Sequence, residues 1–106
     1  MLTIKDIYTR LVDTGYQVSY GSLPEEGEIP LPYIVYYEEN SSHLYADGVV
    51  FFYKADVTIE LYTHLRDMDA EKSIEESLSD QAWSKDPVED MGEDVYCTTY
   101  RFNMAG

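Results

Sequence analysis

The sequence predicts an α+β domain, with one mostly antiparallel β-sheet of about four strands and two α-helices packed on one face. Three observations support this fold class. Two segments with helical periodicity lie on either side of strand-like segments, hydrophobic residues make up 44% of the 106 residues, and turn-forming residues separate the segments. The predicted element order is α-β-β-(β)-β-α-β, and residues 1–106 are predicted to form a single domain.

The first helix is predicted within residues 3–15. Thr3 is a suitable N-cap, and Gly15 is placed to end the helix in a left-handed conformation. Apolar residues recur at the spacing of one helical face, and this face is expected to pack in the core. Its members are Ile4, Ile7, Tyr8 and Leu11.

The strands are predicted in four stretches, "YQVSYGSL", "YIVYYEE", "VVFFYKADVTIELYT" and "VYCTTYRFNM". The third stretch is predicted to be one long strand or two strands joined by a bend near Lys54 and Ala55. Between the first two, "PEEGEIPLP" is predicted to be a loop, because prolines and a glycine disrupt both helices and sheet ladders. In the third stretch apolar residues alternate with Thr58, Glu60 and Tyr62, so one sheet face is expected to keep tyrosines and polar groups. We expect that face, with Tyr62, to be an interface.

The second helix is predicted within residues 67–81. Asp67 is a good N-cap, and Asp69 and Glu71 suit the positive end of the helix dipole. The charged side of this helix is expected to be solvated. The core-facing side is predicted to contain Ala70, Ile74, Ser77 and Leu78.

The segment "NSSHLYADGVV", residues 40–50, separates two strand-like stretches and is longer than a tight hairpin requires. Asp47 and Gly48 could close a two-residue turn between the strands. Residues 40–46 would then be additional material in the middle of the sheet, and the sequence pattern alone does not assign them a purpose.

Charge is the most distinctive feature of the composition. Seven basic and 21 acidic residues give a net charge of −14. Such a chain is expected to be repelled by nucleic acid at moderate salt, so specific nucleic-acid binding is not expected. The alternatives are acidity that only maintains solubility, mimicry of DNA, and a cation-binding surface.

The sequence contains no pattern that requires catalysis, and we expect no enzymatic activity, cofactor or metal site. His43 and His64 lack metal-ligand spacing and are predicted to be surface residues. Cys97 is predicted to be a buried small side chain and not a nucleophile. The 11 tyrosines suit a core and a protein interface better than base stacking, because stacking on nucleic acid needs positive charge nearby.

Over nearly its whole length the chain resembles the tail terminator, or tail completion, proteins of long non-contractile-tailed phages and Gram-positive prophages. The resemblance is carried by "LPYIVYY", "YADGVV" and "VTIELYTHLRDMDAEKSIEESL". It implies an α+β subunit of a homo-oligomeric ring, usually a hexamer, in the virion at the head–tail junction. Such a ring is assembled in the host cytoplasm, caps the tail tube, joins the head–tail connector protein, and lets DNA pass through its centre.

The resemblance implies a use for residues 40–50 as a protruding loop or β-hairpin arm that reaches the next subunit or the tail tube protein. An ordinary surface loop is the alternative. The residues expected at this interface are His43, Leu44, Tyr45, Asp47 and Tyr62. The acidic residues expected to face the lumen, where like charge keeps DNA from adhering, are Glu25, Glu26, Glu28, Glu38 and Glu39.

Two other functions are compatible with the composition. An acidic DNA mimic would inhibit a DNA-binding enzyme, and it would be a monomer or dimer that binds a basic protein. A small enzyme has only the abundant carboxylates in its favour. We expect no contact with a membrane for any of these functions.

Overall fold

The computed structural model describes residues 2–24, 29–46 and 49–105, and the side chains of residues 40–46, 49–54 and 105 lie outside this description. The described chain is α+β, as predicted. It begins with helix α1 (Ile4–Val12) and strands β1 (Gln17–Tyr20), β2 (Tyr33–Ala46) and β3 (Val49–His64). Helix α2 (Met68–Ser77) and strands β4 (Ser84–Lys85), β5 (Glu89–Asp90) and β6 (Val95–Ala105) follow.

Helix α1 begins where the sequence predicts, after the N-cap Thr3, and ends at Val12 with Asp13 as its C-cap. The hydroxyl of Thr3 accepts a hydrogen bond from the Asp6 backbone N–H, and the Asp6 carboxylate accepts one from the Thr3 backbone N–H. This capping box satisfies two of the backbone donors that a helix start leaves without partners. Gly15 has φ of +89°, the left-handed conformation expected after the last turn.

The strands form one mixed sheet in the order β1-β2-β3-β6-β4, with β5 also paired to β6. β2, β3 and β6 pair antiparallel along most of their lengths. β1 pairs parallel with β2, from Gln17 opposite Tyr33 to Tyr20 opposite Tyr36. The parallel pair is a departure from the predicted mostly antiparallel sheet. Its physical basis is the proline-rich connection of residues 21–32, which is long enough to return the chain to the start of the sheet.

The predicted count of about four strands is too low, because the described residues contain six. The two additional strands, β4 and β5, have two residues each and pair with the outer edge of β6. The sequence predicts this stretch as a loop with a short extended piece at Trp83. Strands this short carry no alternating pattern, so periodicity does not reveal them.

Both helices pack on the same face of the sheet. Ile7 and Leu11 of α1 share one core cluster with Ala70, Ile74 and Leu78 of α2. The sheet residues in this cluster are Ile34, Tyr36, Ala55, Val57, Ile59, Leu61, Tyr100, Phe102 and Met104. The opposite sheet face carries no helix within the described chain, although Val35, Thr58 and Cys97 on that face are buried.

Candidate functional site

The β2–β3 hairpin extends beyond the rest of the sheet. The β3–β6 ladder ends where Lys54 pairs with Ala105, and β1 borders only the first four residues of β2. From His43 opposite Tyr53 to Ala46 opposite Val49, the described sheet contains β2 and β3 alone. We call residues 43–53 the hairpin extension. At about 3.4 Å per residue it projects by roughly 14 Å, which contributes to a molecule 53 Å long.

The predicted interface residues of this segment fall within the hairpin extension. His43, Leu44 and Tyr45 belong to β2, and their side chains are not described. Asp47 lies outside the described residues. The register shifts between Glu38 and Asn40, near the base of the hairpin extension, and a register shift of this kind bends and twists a strand pair locally.

Tyr62, the remaining predicted interface residue, lies on the sheet face that carries no helix. Tyr33 of β2, Tyr62 of β3 and Cys97 of β6 pair in one row across the three central strands. The Tyr62 hydroxyl donates to Glu60 at 3.3 Å. Burial, followed by the nearby Cys97 and Glu60, raises the pKa of Tyr62 well above its usual range, so the hydroxyl remains a hydrogen-bond donor.

Arg101 crosses the same face and links three strands. Its guanidinium contacts Glu39 at 3.1 Å and Asp86 at 3.0 Å, and it donates to the buried Thr58 hydroxyl at 3.4 Å. Because this face also carries half-buried tyrosines, it combines apolar surface with a fixed charge pattern. That combination is typical of protein interfaces.

The predicted lumen residues are only partly described. Glu25, Glu26 and Glu28 lie outside the described residues. Glu39 is ion-paired with Arg101 on the helix-free face, whereas Glu38 lines a cleft beside α1 on the helix face. The two described glutamates therefore lie on opposite sides of the sheet.

That cleft is an open groove between α1 and the β1–β2 edge, with a volume of about 510 Å³. Tyr36 forms its floor and is 7% exposed, while the Tyr8 and Tyr20 side chains at its walls are 46% and 57% exposed. The Tyr20 ring stands edge-on to Tyr36 at 5.1 Å between centroids, and Tyr8 is tilted at 6.1 Å. We call it the tyrosine groove; its lining is Ile4, Lys5, Tyr8, Tyr20, Tyr36 and Glu38.

Sequence analysis missed a buried charge cluster on α2. Glu71 was expected on a solvated face, but its side chain is only 3% exposed and contacts Lys85 at 2.6 Å and Arg66 at 3.2 Å. Lys85 also contacts Glu75 at 2.9 Å, and Glu75 accepts from the Tyr100 hydroxyl at 2.8 Å. The signal for this burial in the sequence was that Glu71 directly follows Ala70, which is predicted to face the core. Nothing near Glu71 in the sequence identifies Lys85 and Arg66 as its cationic partners.

The charge cluster is suited to holding the fold and not to proton transfer. Burial raises the pKa of Glu71, but hydrogen bonds and charges from Lys85 and Arg66 outweigh it, so the pKa lies below its ordinary value. The carboxylate is therefore ionised at neutral pH. Its contacts connect α2 to the preceding loop and to β4.

The structure confirms the predicted burial of Cys97 and the predicted surface position of His64. Cys97 is 4% exposed, and burial raises the pKa of its thiol, which is the opposite of what activates a nucleophile. His64 is exposed at the end of β3.

Comparison with protein-family models and with curated proteins gives no match for this chain. Among the described residues, no three or more His, Cys, Asp or Glu side chains lie close enough together to hold a metal ion. The helices in the described part of the chain are all too short or too polar to cross a membrane.

Proposed function

We propose that this protein is a ring-forming tail terminator of a long-tailed phage or prophage. The observation that carries the proposal is the hairpin extension, in which two strands leave the sheet without a neighbour on either side in the described chain. A two-stranded ribbon is at best marginally stable in water, so contact with another chain would stabilise it. The resemblance of the sequence to tail terminators supplies the identity of the assembly.

The helix-free face supports the same proposal. It presents the half-buried Tyr37 and Tyr62 beside the Arg101 ion pairs. A subunit of a closed ring needs two different contact surfaces, because each copy meets one neighbour on each side. The hairpin extension and a second surface on the body of the domain would meet this requirement.

The net charge of −14 is consistent with a ring through which DNA passes. Like charge would keep the duplex from adhering to the lumen within a Debye length, about 8 Å at physiological salt. In this proposal the partners are further copies of the chain, the tail tube protein and the head–tail connector protein. The protein acts as structure and carries out no reaction.

The test is molar mass by light scattering across a concentration series, with and without purified tail tube protein. The variant removes residues 43–53 and joins Ser42 to Lys54 through Asn-Gly, which restores a two-residue hairpin turn at a paired position. The described core cluster contains Ala55 and residues beyond it on β3, so the shortened chain should still fold. Met91→Ser, at a residue 50% exposed in the β5–β6 turn, is the control.

We expect wild type and the Met91→Ser variant to form rings or to cap tubes, and the shortened variant to remain monomeric while still unfolding in one cooperative thermal transition. A folded shortened variant that still caps tubes would refute the role of the hairpin extension. A wild-type protein that remains a monomer or dimer and ignores tube protein, but binds a basic DNA-binding enzyme, would favour the DNA-mimic alternative.

A further inference from the structure

We infer that the tyrosine groove is the receptor for the hairpin extension of a second copy of this chain. The inference deepens the proposed function, because it rests on the hairpin extension being an assembly element and names the surface that receives it. Three features of the molecule support this inference: the preformed aromatic walls of the groove, the low net charge of the groove lining and of the hairpin extension, and the direction of β2.

The walls of the tyrosine groove are already ordered. The rings of Tyr8 and Tyr20 both pack against Tyr36, yet 46% and 57% of these two residues stay exposed. The Tyr20 hydroxyl also accepts a hydrogen bond from the Glu38 backbone N–H at 3.4 Å. Tyrosine rings held in this way lose little conformational entropy when a partner binds, so most of the area they bury contributes to affinity.

Charge selects the occupant. Two copies that each carry −14 repel one another over most of their surfaces. The hairpin extension, residues 43–53, contains one aspartate, Asp47, and no glutamate, lysine or arginine, so its net charge is only −1. The lining of the tyrosine groove is balanced, with one lysine and one glutamate. Contact between these two segments brings copies together where repulsion is smallest, whereas a basic partner would be drawn to the acidic surface elsewhere.

The direction of β2 excludes the chain's own hairpin extension as the occupant. Glu38 lines the groove, and β2 continues away from it in extended conformation to His43, which is five residues further on. At about 3.4 Å per residue this separates the start of the hairpin extension from Glu38 by roughly 17 Å, and β2 continues in the same extended conformation to Ala46. The groove can therefore receive a hairpin extension only from a neighbouring copy.

The test is disulfide trapping between two differently tagged variants in a Cys97→Ala background, which removes the native thiol. One variant carries Tyr20→Cys in the groove. The other carries Phe52→Cys or Tyr53→Cys in the hairpin extension, because these two residues are consecutive in the regular register and adjacent residues of a regular strand point to opposite faces, so the pair samples both. Met68→Cys, at a residue 65% exposed on α2, replaces Tyr20→Cys in the control mixture.

We expect the Tyr20→Cys mixture to form the mixed-tag dimer at least about tenfold faster than the Met68→Cys mixture, because docking raises the effective thiol concentration. The double variant Tyr8→Asp/Tyr20→Asp should lose self-association, since it adds two negative charges to a groove that would receive a hairpin extension of charge −1. Met68→Asp should retain self-association, and the circular dichroism spectra should show that both variants fold.

The outcomes separate this inference from the proposed function. Rings that form on tail tubes while Tyr20→Cys and Met68→Cys cross-link equally would overturn the groove assignment and leave the terminator function standing. Selective Tyr20→Cys cross-links in a protein that only dimerises and ignores tube protein would support the groove assignment and refute the terminator function. A monomer with no cross-link above the control overturns the groove assignment.

Discussion

Glutamate 71 provides the sharpest test of how the described contacts hold this fold together. Its carboxylate is 3% exposed and is shared by Lys85, at 2.6 Å, and Arg66, at 3.2 Å. Glu71→Gln keeps the shape of the side chain and removes its charge. Lys85 would keep its contact with Glu75, and Arg66, which is 50% exposed, would be hydrated by water.

The magnitude follows from the two cationic partners. A hydrogen bond to a charged group contributes about 2 kcal/mol and a neutral one about 1 kcal/mol, so the loss is about 1 kcal/mol for each partner and about 2 kcal/mol in all. The entropy of unfolding of a chain this size is about 0.22 kcal/mol per kelvin near its midpoint. We therefore expect the melting temperature to fall by about 9 °C.

The assay is urea and thermal unfolding by far-UV circular dichroism at neutral pH. Glu76→Gln is the matched control on the same helix, because Glu76 is 69% exposed and its Lys72 contact is 3.9 Å long. Such an exposed pair contributes less than about 0.5 kcal/mol. A Glu71→Gln variant no less stable than Glu76→Gln would refute the role assigned to the charge cluster.

The same variant has a predicted pH dependence. Because the pKa of folded Glu71 lies below its ordinary value of 4.5, its ionised form adds stability in full above pH 4.5. This contribution is lost as the pH falls through the folded pKa, where the wild-type carboxyl becomes neutral like the glutamine. The difference in unfolding free energy between wild type and Glu71→Gln should therefore shrink on acidification, and a constant difference would contradict the assignment.

Two further predictions test the core and the helix-free face. Ile59→Ala, at a fully buried position of the central strand, should lower the free energy of unfolding by about 3 kcal/mol. Its control, Val12→Ala at a residue 43% exposed, should lower it by less than about 0.5 kcal/mol. Equal urea midpoints for the two variants would show that β3 does not form the core. Cys97 should react with a thiol reagent at least about a hundredfold more slowly in the folded protein than in urea, because burial shields the thiol from the reagent and raises its pKa. Equal rates would show that the helix-free face is open to solvent at Cys97.

The helices were predictable because local signals determine them. Thr3 and Asp67 cap the two starts as expected, and Ile7, Leu11 and Ile74 are buried as their spacing predicts. The exceptions are positions at the edge of a helical face. Tyr8 was expected in the core but is 46% exposed, because α1 lies near the sheet edge and its flank meets the tyrosine groove.

The features that the sequence did not reveal all depend on partners distant in the chain. β1 runs parallel to β2 because of the connection between the two strands, and the residue pattern of Gln17–Tyr20 does not indicate this direction. β4 is a strand only because β6 lies beside it. Glu71 can be buried because Arg66 and Lys85, on either side of α2, neutralise it. The periodicity of apolar residues predicts which side chains are buried, but it does not predict which residues contact one another.

The sequence predicted which segments belong to the candidate site, but it did not predict how they are arranged. The segment around residues 40–50 was recognised as additional material, and the tyrosine on β3 was assigned to a face open to contact. The tyrosine groove was not recognised, since it combines Tyr8, Tyr20 and Tyr36 from three elements. Only the packing of α1 against the β1–β2 edge brings them together.

The continuity of β3 has a mechanical consequence. The single strand β3, Val49–His64, forms half of the hairpin extension and then the centre of the sheet, where 11 consecutive residues pair with β6. A force applied to the hairpin extension along β3 would load those backbone hydrogen bonds simultaneously, in shear. It would not break them one after another. The hairpin extension is thus continuous with the core, and a load applied to it would pass directly to the body of the domain.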